Sequence, residues 1–323
     1  MSETWKNFLP IVEEAIANNK ILRAPKELYT PINYTLNMGG KRIRPILVLM
    51  ASELFGKPAK ESIELALAVE VFHNFTLIHD DIMDEAPLRR GKETVHKKWG
   101  RDIAILSGDV MLIEAYKYLS KANHDKLGEM LNLFNQTAVE VCEGQQLDMN
   151  FENNSKVQLA EYLQMIRLKT AVLLATSLKL GALNANASVE DADLIYDFGQ
   201  DIGIAFQIQD DYLDVFADEK DFGKQVGGDI LNNKKTYLLL RAIKEASQEQ
   251  KKEIENILSM KGSPNKIKNM IAIYKQLNVL ELTQKAVQEY FNKAMLALDK
   301  INQSNKQKAP LIDLATQLLN RNY

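Results

Sequence analysis

The 323-residue chain is predicted to be all-α and to form one domain, residues 1–323, of ten or more helices. In several long segments, apolar residues recur three and four positions apart, which is the spacing of one helix face. No stretch alternates between apolar and polar residues with the period of two that a half-buried strand shows. Only 8 prolines and 15 glycines occur, and no Ser/Gly/Pro-rich linker or internal repeat divides the chain.

Four segments carry the helical pattern most clearly, at residues 61–84, 108–122, 193–218 and 282–301. Helices are expected to stop near Pro87, Gly100, Gly181 and Gly223, because proline and glycine commonly follow the last helical residue. The run QEQKKE at 248–253 is interpreted as a solvated surface.

The composition excludes several classes of protein. With 46% hydrophobic residues and a net charge of −3, the chain has no overall field for nucleic acid. Its single cysteine, Cys142, excludes an internal disulfide and fits a reducing cytoplasm. No run approaches the roughly 20 apolar residues that span a bilayer, and MSETWKNFLP lacks the pattern of a secretory signal. We therefore expect a cytoplasmic protein without a membrane span or nucleic-acid partner.

Two acidic clusters repeat the spacing i, i+1, i+4 near the C-terminal ends of predicted helices. The first comprises Asp80, Asp81 and Asp84, and the second comprises Asp210, Asp211 and Asp214. On a helix these carboxylates share one arc, where like charges repel each other and meet the negative end of the helix dipole. One such cluster could be a solvated surface feature without a function, but two clusters with the same spacing favour a functional role. Carboxylates, water and phosphate oxygens are the ligands that Mg²⁺ prefers, so both clusters are candidate Mg²⁺ sites.

Two further polar residues lie on the same helical faces as the acidic clusters. His73 precedes Asp80 by seven positions, and Gln207 precedes Asp210 by three. A core or capping role is the alternative for each residue taken alone.

Several basic segments are candidate anion sites. Lys41, Arg42 and Arg44 lie between the pair Gly39-Gly40 and Pro45, which suits the first turn of a helix. Cations are disfavoured at a helix N-terminus, whereas a bound phosphate is favoured there, so this segment predicts a phosphate-sized ligand. A solvated basic turn is the alternative.

Other cations follow the acidic clusters or interrupt an apolar helix. Adjacent arginines, Arg89 and Arg90, tend to point in different directions and so to serve different phosphates. Lys169, beside Thr170, interrupts an apolar stretch, and a buried lysine normally has a partner. A glycine-rich segment at 221–229 follows the second acidic cluster, and Lys234 comes after it.

Taken in order, these segments resemble the trans-isoprenyl diphosphate synthases, or polyprenyl synthetases. The resemblance runs through GGKRIRP, HNFTLIHDDIMDEAPLRRG, GQQLD, LKT, FQIQDDYLD and GKQVGGDILNNKKT. It implies an orthogonal α-helical bundle around a central cavity, of the isoprenoid synthase type, and a homodimer. The implied reaction joins isopentenyl diphosphate to an allylic diphosphate by ionisation, condensation and proton elimination.

The resemblance also implies roles for individual residues. Mg²⁺, roughly three ions per bound diphosphate, is bridged by Asp80, Asp84 and Asp210, with Asp81, Asp211 and Asp214 as further ligands or supports. The residues implied to hold isopentenyl diphosphate are Lys41, Arg44, His73 and Arg90. Those implied to surround the allylic diphosphate are Arg89, Lys169, Thr170, Gln207, Lys224 and Lys234. The dipoles of Thr170 and Gln207 are implied to stabilise the allylic cation. Gln225 and Asn233 depart from the family pattern, and Arg321 resembles a basic C-terminal tail.

Product length is expected to depend on Phe75, five positions before Asp80, with Phe72 one turn earlier. Members of the family with an aromatic residue there make short products, which implies geranylgeranyl diphosphate first and farnesyl diphosphate next. Ordinary core packing is the alternative role for Phe75. The rival functions are a class I terpene cyclase and a noncatalytic prenyl-diphosphate-binding subunit of a heteromer. The intact basic segments argue against the first, and the six aspartates argue against the second.

Overall fold

The structure, a computed structural model, describes residues 4–122, 124–152, 154–216, 227–260 and 264–319. Almost every regular element in these ranges is helical, so the all-α prediction is confirmed. The helices of the first half are α1 (Leu9–Asn18), α2 (Lys26–Leu36), α3 (Ile43–Leu54), α4 (Ile63–Met83), α5 (Val95–Trp99), α6 (Arg101–Leu119) and α7 (Leu127–Glu152). Those that follow are α8 (Leu159–Ile166), α9 (Val172–Asn184), α10 (Val189–Phe216), α11 (Gly228–Leu231), α12 (Tyr237–Glu245), α13 (Gln248–Ser259), α14 (Pro264–Gln276), α15 (Val279–Lys300) and α16 (Asn305–Leu319).

Short irregular elements complete the list. Single 3₁₀ turns occur at Thr4–Phe8, Ala59–Ser62 and His124–Lys126, and a π-helical turn, Arg167–Ala171, joins α8 to α9. A two-stranded antiparallel hairpin, β1 (Leu88–Arg89) and β2 (Lys92–Glu93), follows α4. The sequence did not predict this hairpin, because strands of two residues are too short to show a period of two.

The chain divides into two compact units. The first unit contains residues 1–135, 176–196 and 301–313, and the second contains residues 136–175, 197–300 and 314–323. Both units are built from several separate stretches of the chain. The single-domain assignment stays a prediction.

In the first unit, α4 is the central helix and packs against α1, α2, α3 and α6. Its buried side chains extend from Leu65 to Ile82 along the helix, which explains the long apolar run in the sequence. Gly181 also belongs to this unit and lies inside α9, so the prediction that a helix stops there is wrong. A Cβ atom on Gly181 would lie 2.2 Å from the carbonyl oxygen of Val48 in α3, so glycine is needed for close packing and not as a stop signal.

The second unit contains two hydrophobic clusters. One forms around Tyr162, Ile208 and Tyr237, and the other around Leu238, Tyr274 and Val279. Gly203 of α10 packs on Ala171, whose Cα would lie 2.6 Å from an added Cβ atom. This contact holds the middle of α10 against the π-helical turn.

No helix within the described ranges is long and apolar enough to cross a membrane.

Candidate active site

The first acidic cluster lies at the C-terminal end of α4, as predicted. Asp80 and Asp81 are in the last turn, and Asp84 is the C-cap residue, whose N–H donates to the carbonyl oxygen of Asp80 (2.9 Å). Asp81 is buried, whereas Asp80 is partly exposed and Asp84 is exposed. The two outer carboxylates are therefore the more accessible ones for a ligand.

Arg89 supplies a cation to this cluster. Its Nε donates to Oδ1 of Asp81 at 2.8 Å, and a terminal nitrogen lies 3.4 Å from Oδ2 of Asp80. Burial raises the pKa of Asp81, and the contact with Arg89 opposes that rise. Repulsion among the carboxylates is therefore partly balanced within the protein.

The hairpin explains how Arg89 and Arg90 point to different partners. Arg90 and Gly91 form its tip with φ of 52° and 73°, as a turn with two positive φ angles requires. Arg90 donates to the carbonyl oxygen of Gly39, and its guanidinium lies against Gly40, where an added Cβ atom would be only 2.7 Å away. The two arginines therefore point in separate directions, as predicted. Glycine at position 40 leaves room for the Arg90 guanidinium and adopts φ of 134°, which other residues rarely do.

Arg44 and His73 meet beside Arg90. One terminal nitrogen of Arg44 lies 3.1 Å from Nε2 of His73. Burial lowers the pKa of Arg44 to about 10, and burial and the charge of Arg44 hold the pKa of His73 well below its usual value. His73 is therefore neutral at pH 7, and its Nε2 accepts a hydrogen bond from Arg44. In the described part of the chain, Nε of Arg44 is buried without a hydrogen-bond partner.

Arg42 has a different role from the cations on either side of it. It precedes the first residue of α3 in a left-handed conformation (φ 49°), and its side chain is 1% exposed. It pairs with Glu70 at 2.5 Å and Glu13 at 2.9 Å, and donates to the carbonyl oxygen of Leu36. Arg42 therefore fixes the loop that carries Lys41 and Arg44. Lys41 itself is exposed.

The second acidic cluster lies in the last two turns of α10, again as predicted. Oδ2 of Asp211 accepts hydrogen bonds from the hydroxyl of Tyr162 (2.5 Å) and from the backbone N–H of Tyr237 (2.8 Å). Burial raises the pKa of Asp211, and both donors oppose the rise. Oδ2 of Asp214 accepts from the N–H of Asp229 (3.0 Å) and so ties α11 to α10.

Lys169 and Thr170 lie in the π-helical turn. Nζ of Lys169 donates to Asp148 at 2.6 Å, so this partly buried lysine has the partner that the sequence predicts for it. The turn is close-packed on Gly144, where an added Cβ atom would lie 2.3 Å from the N atom of Lys169. Such turns insert one residue into a helix and often mark functional sites. Asp148 was not predicted as a site residue, although the segment GQQLD carries it.

Thr170, Gln207 and Asp211 form a chain of polar contacts. Oγ1 of Thr170 lies 3.3 Å from Oε1 of Gln207, and Nε2 of Gln207 lies 3.4 Å from Oδ1 of Asp211. The structure thus brings together three of the predicted site residues from different parts of the sequence.

Lys224 and Lys234 are the predicted cations that follow the second acidic cluster. Lys234 is exposed, and its Nζ lies 4.0 Å from Asp229. Lys224 lies outside the described residues, as do Gly223, Gln225 and Arg321. Asn233 adopts φ of 56°, a conformation that asparagine tolerates better than most residues, which accounts for Asn at a position where the family often has glycine.

Phe72 and Phe75 have different environments on α4. Phe72 is 1% exposed and packs edge-on against Phe134, with ring centroids 5.1 Å apart. Phe75 is only partly buried and lies against Phe72 and His79. Phe72 is therefore a core residue, while Phe75 retains accessible surface.

The acidic clusters suit a metal ion that takes most of its ligands from water and substrate and only one or two from the protein. Among the described residues, no three acidic, histidine or cysteine side chains are close enough to form a complete metal site. Mg²⁺ typically binds one or two carboxylates and completes its shell with water and phosphate oxygens. Asp80, in the last turn of α4, and Asp84, its C-cap residue, fit this type of donor set.

Comparison with known proteins gives a consistent result. The sequence model of the polyprenyl synthetases matches residues 25–277. A geranylgeranyl diphosphate synthase of Methanosarcina mazei is 39% identical over 83% of this chain and 87% of its own. A short chain isoprenyl diphosphate synthase of Methanothermobacter thermautotrophicus is 34% identical over 98% of each chain. The crystal structure of a geranylgeranyl pyrophosphate synthase matches 100% of both chains with 42% identity and a TM-score of 0.93. The last similarity confirms the predicted fold type.

Proposed function

Because the chain belongs to the polyprenyl synthetase family and is a prenyltransferase, we propose that it condenses isopentenyl diphosphate with allylic diphosphates to make geranylgeranyl diphosphate. The observation that carries this proposal is the partly buried Arg44, which lies beside the exposed cations Lys41 and Arg90. Arg44 has a buried, unpartnered Nε, and its pKa is lowered, so an anionic ligand would stabilise a positive charge that the fold leaves poorly solvated.

Isopentenyl diphosphate is the ligand that we assign to this cluster. Arg44 and Arg90 donate to the diphosphate oxygens, and the exposed Lys41 adds a third cation. His73 remains neutral and orients the guanidinium of Arg44 through Nε2. We assign no direct binding to Arg42, because its side chain is 1% exposed and each of its three nitrogens already donates to Glu70, Glu13 or the carbonyl oxygen of Leu36.

The aspartate clusters are proposed to bind Mg²⁺ through Asp80, Asp84 and Asp210. Bound Mg²⁺, in roughly three ions per diphosphate, supplies the charge neutralisation that lets the allylic diphosphate leave. Asp81 and Asp211 act as supports, because Arg89 and Tyr162 already contact their carboxylates. When a diphosphate is present, Arg89 can donate to it with the nitrogens that the aspartates leave available.

The proposed reaction begins with cleavage of the allylic C–O bond. The diphosphate takes the electron pair, and the double bond of isopentenyl diphosphate then forms a C–C bond to the allylic carbon. Loss of a proton to the departed diphosphate restores a double bond in the product. Thr170 and Gln207 present oxygen dipoles that stabilise the allylic cation, and Lys169, held by Asp148, binds the leaving diphosphate.

The proposal is tested by incubating the purified protein with labelled isopentenyl diphosphate and each allylic acceptor in turn. We expect twenty-carbon chains as the main product and no turnover in excess EDTA. Asp80→Ala and Asp210→Ala should remain folded and lose activity, whereas Asp193→Ala, an exposed aspartate on α10, should retain it. Full activity in EDTA would refute the metal assignment, and absence of any prenyl transfer would refute the function.

A homodimer is also part of the proposal. Sedimentation equilibrium of the purified chain tests it, and a monomer that is active at all concentrations would contradict it. A noncatalytic subunit is disfavoured by the presence of all six aspartates, and a terpene cyclase by the basic cluster of Arg44 and Arg90.

A further inference from the structure

Tyr162 is a fully buried tyrosine that contacts the second acidic cluster. It is 2% exposed, and its hydroxyl donates to Oδ2 of Asp211 at 2.5 Å. Burial and the charge of Asp211 hold the pKa of Tyr162 well above its usual value, so the hydroxyl keeps its proton and donates. The aromatic ring packs in the cluster that includes Met165 and Ile208. In such surroundings a hydroxyl without a partner would be costly, so the hydrogen bond to Asp211 is energetically favoured.

A second donor holds the same carboxylate oxygen. The N–H of Tyr237 is the first of α12, follows the N-cap Thr236, and lies 2.8 Å from Oδ2 of Asp211. The first N–H groups of a helix have no partner within the helix and favour a negative charge. Tyr162 and Tyr237 therefore fix Oδ2, and leave Oδ1 of Asp211 available to Gln207.

The direction of the remaining contacts follows from the chemistry of the groups. Nε2 of Gln207 lies 3.4 Å from Oδ1 of Asp211, and because an amide NH₂ group can only donate, Gln207 is the donor of this contact. Oε1 of Gln207 then faces Thr170, and the Thr170 hydroxyl must donate to it. The orientation of the Asp211 carboxylate therefore determines how the side-chain dipoles of Gln207 and Thr170 are oriented.

We propose that Tyr162 is a positioning residue of the prenyl-transfer reaction, which orients Gln207 and Thr170 by fixing the carboxylate of Asp211. This role rests on the proposed function, in which Gln207 and Thr170 stabilise the allylic cation. Without the hydroxyl of Tyr162, Oδ2 keeps only the donor from Tyr237, and the carboxylate can rotate. The amide of Gln207 then loses its fixed orientation, and the dipoles no longer match the developing charge.

The test is the single-turnover rate of Tyr162→Phe at pH 8 with saturating Mg²⁺ and both substrates. We expect the rate to fall about tenfold, with each KM changed less than about twofold, because the proposed diphosphate-binding cations are untouched. Tyr290→Phe is the matched control, since it removes a hydroxyl from a side chain packed on the same cluster but outside the chain of contacts. It should leave the rate unchanged.

A double-mutant cycle separates positioning from general destabilisation. The cycle compares the loss of rate that Tyr162→Phe causes in the wild type with the loss that it causes in Thr170→Val. If Tyr162 acts through Thr170, the loss in Thr170→Val should be at least threefold smaller. Equal losses on both backgrounds, or an unchanged rate in Tyr162→Phe, would overturn the positioning role. If Tyr162→Phe fails to fold, Tyr162 is a structural residue and the positioning role is likewise overturned. Wild-type protein without prenyl transfer would instead refute the proposed function itself.

Discussion

Arg42 and Arg44 are two residues apart, yet their replacement by glutamine should have opposite effects on stability. The side chains of Arg42 and its partner Glu70 are 1% and 3% exposed. Arg42→Gln leaves Glu70 buried without its cation, and breaking such a pair typically costs about 3–5 kcal/mol. We therefore expect Arg42→Gln to lower the free energy of unfolding by an amount in this range.

Arg44 is already destabilising in its charged form. Its pKa is lowered from 12.5 to about 10 by burial, a difference of about 3 kcal/mol at about 1.4 kcal/mol per pKa unit. Because Arg44 is partly exposed, solvent screening reduces this value, and we expect Arg44→Gln to stabilise the metal-free protein by about 0–2 kcal/mol. The fold thus keeps Arg44 at a cost in stability, as expected of a residue that binds an anion.

The assay is urea unfolding in EDTA, with and without inorganic diphosphate. Diphosphate at about 100 times its Kd should stabilise the wild type by about 2.7 kcal/mol, and Arg44→Gln should lose most of this gain. Steady-state kinetics should show a higher KM for isopentenyl diphosphate in Arg44→Gln and a smaller change for the allylic substrate. The reasoning fails if Arg44→Gln is as destabilised as Arg42→Gln, or if it keeps the full stabilisation by diphosphate.

Three other predictions concern separate parts of the chain. Burial raises the pKa of Asp201 from 3.8 to about 6, so stability should fall as the pH rises from about 4 to about 6. Asp201→Asn should gain about 1–3 kcal/mol at pH 7.5 and nothing at pH 3, measured by urea unfolding; an equal gain at both would contradict the charge effect. Gly181→Ala should lose about 1–3 kcal/mol, because its Cβ atom would overlap the carbonyl oxygen of Val48; a thermal melt like that of the wild type would exclude this. Phe75→Ala should lengthen the main product by at least one five-carbon unit, and an unchanged product distribution would rule out Phe75 as the limit.

The sequence predicted the long helices because their periodicity is repeated over many residues. The helix predicted at 61–84 is α4 at Ile63–Met83, and the one predicted at 193–218 is α10 at Val189–Phe216. The place of each acidic cluster at a helix end followed from the same pattern. The sequence wrongly predicts a helix end at Gly181, because a glycine that allows close packing and a glycine that ends a helix look alike in one sequence.

The partners of the site residues could not be predicted from the sequence. Asp148 precedes Lys169 by 21 positions, and Tyr162 precedes Asp211 by 49. Such pairs depend on how helices pack, which periodicity does not specify. The π-helical turn could not be predicted either, because one inserted residue does not change the composition of the segment. Its only unusual feature in the sequence is the polar pair Lys169-Thr170.

Phe72 and Phe75, the two aromatic residues expected to limit product length, differ in their burial. Phe72 and Phe75 were grouped because both precede the first acidic cluster on α4. Phe72 is 1% exposed and held by Phe134, so it has no surface left for a substrate. Phe75 is partly exposed, and its ring rests on Phe72 with centroids 5.6 Å apart. Phe75 therefore stays the predicted limit on product length, whereas Phe72 supports the ring of Phe75, and replacing Phe72 by a smaller residue should cost stability by leaving a cavity in the core.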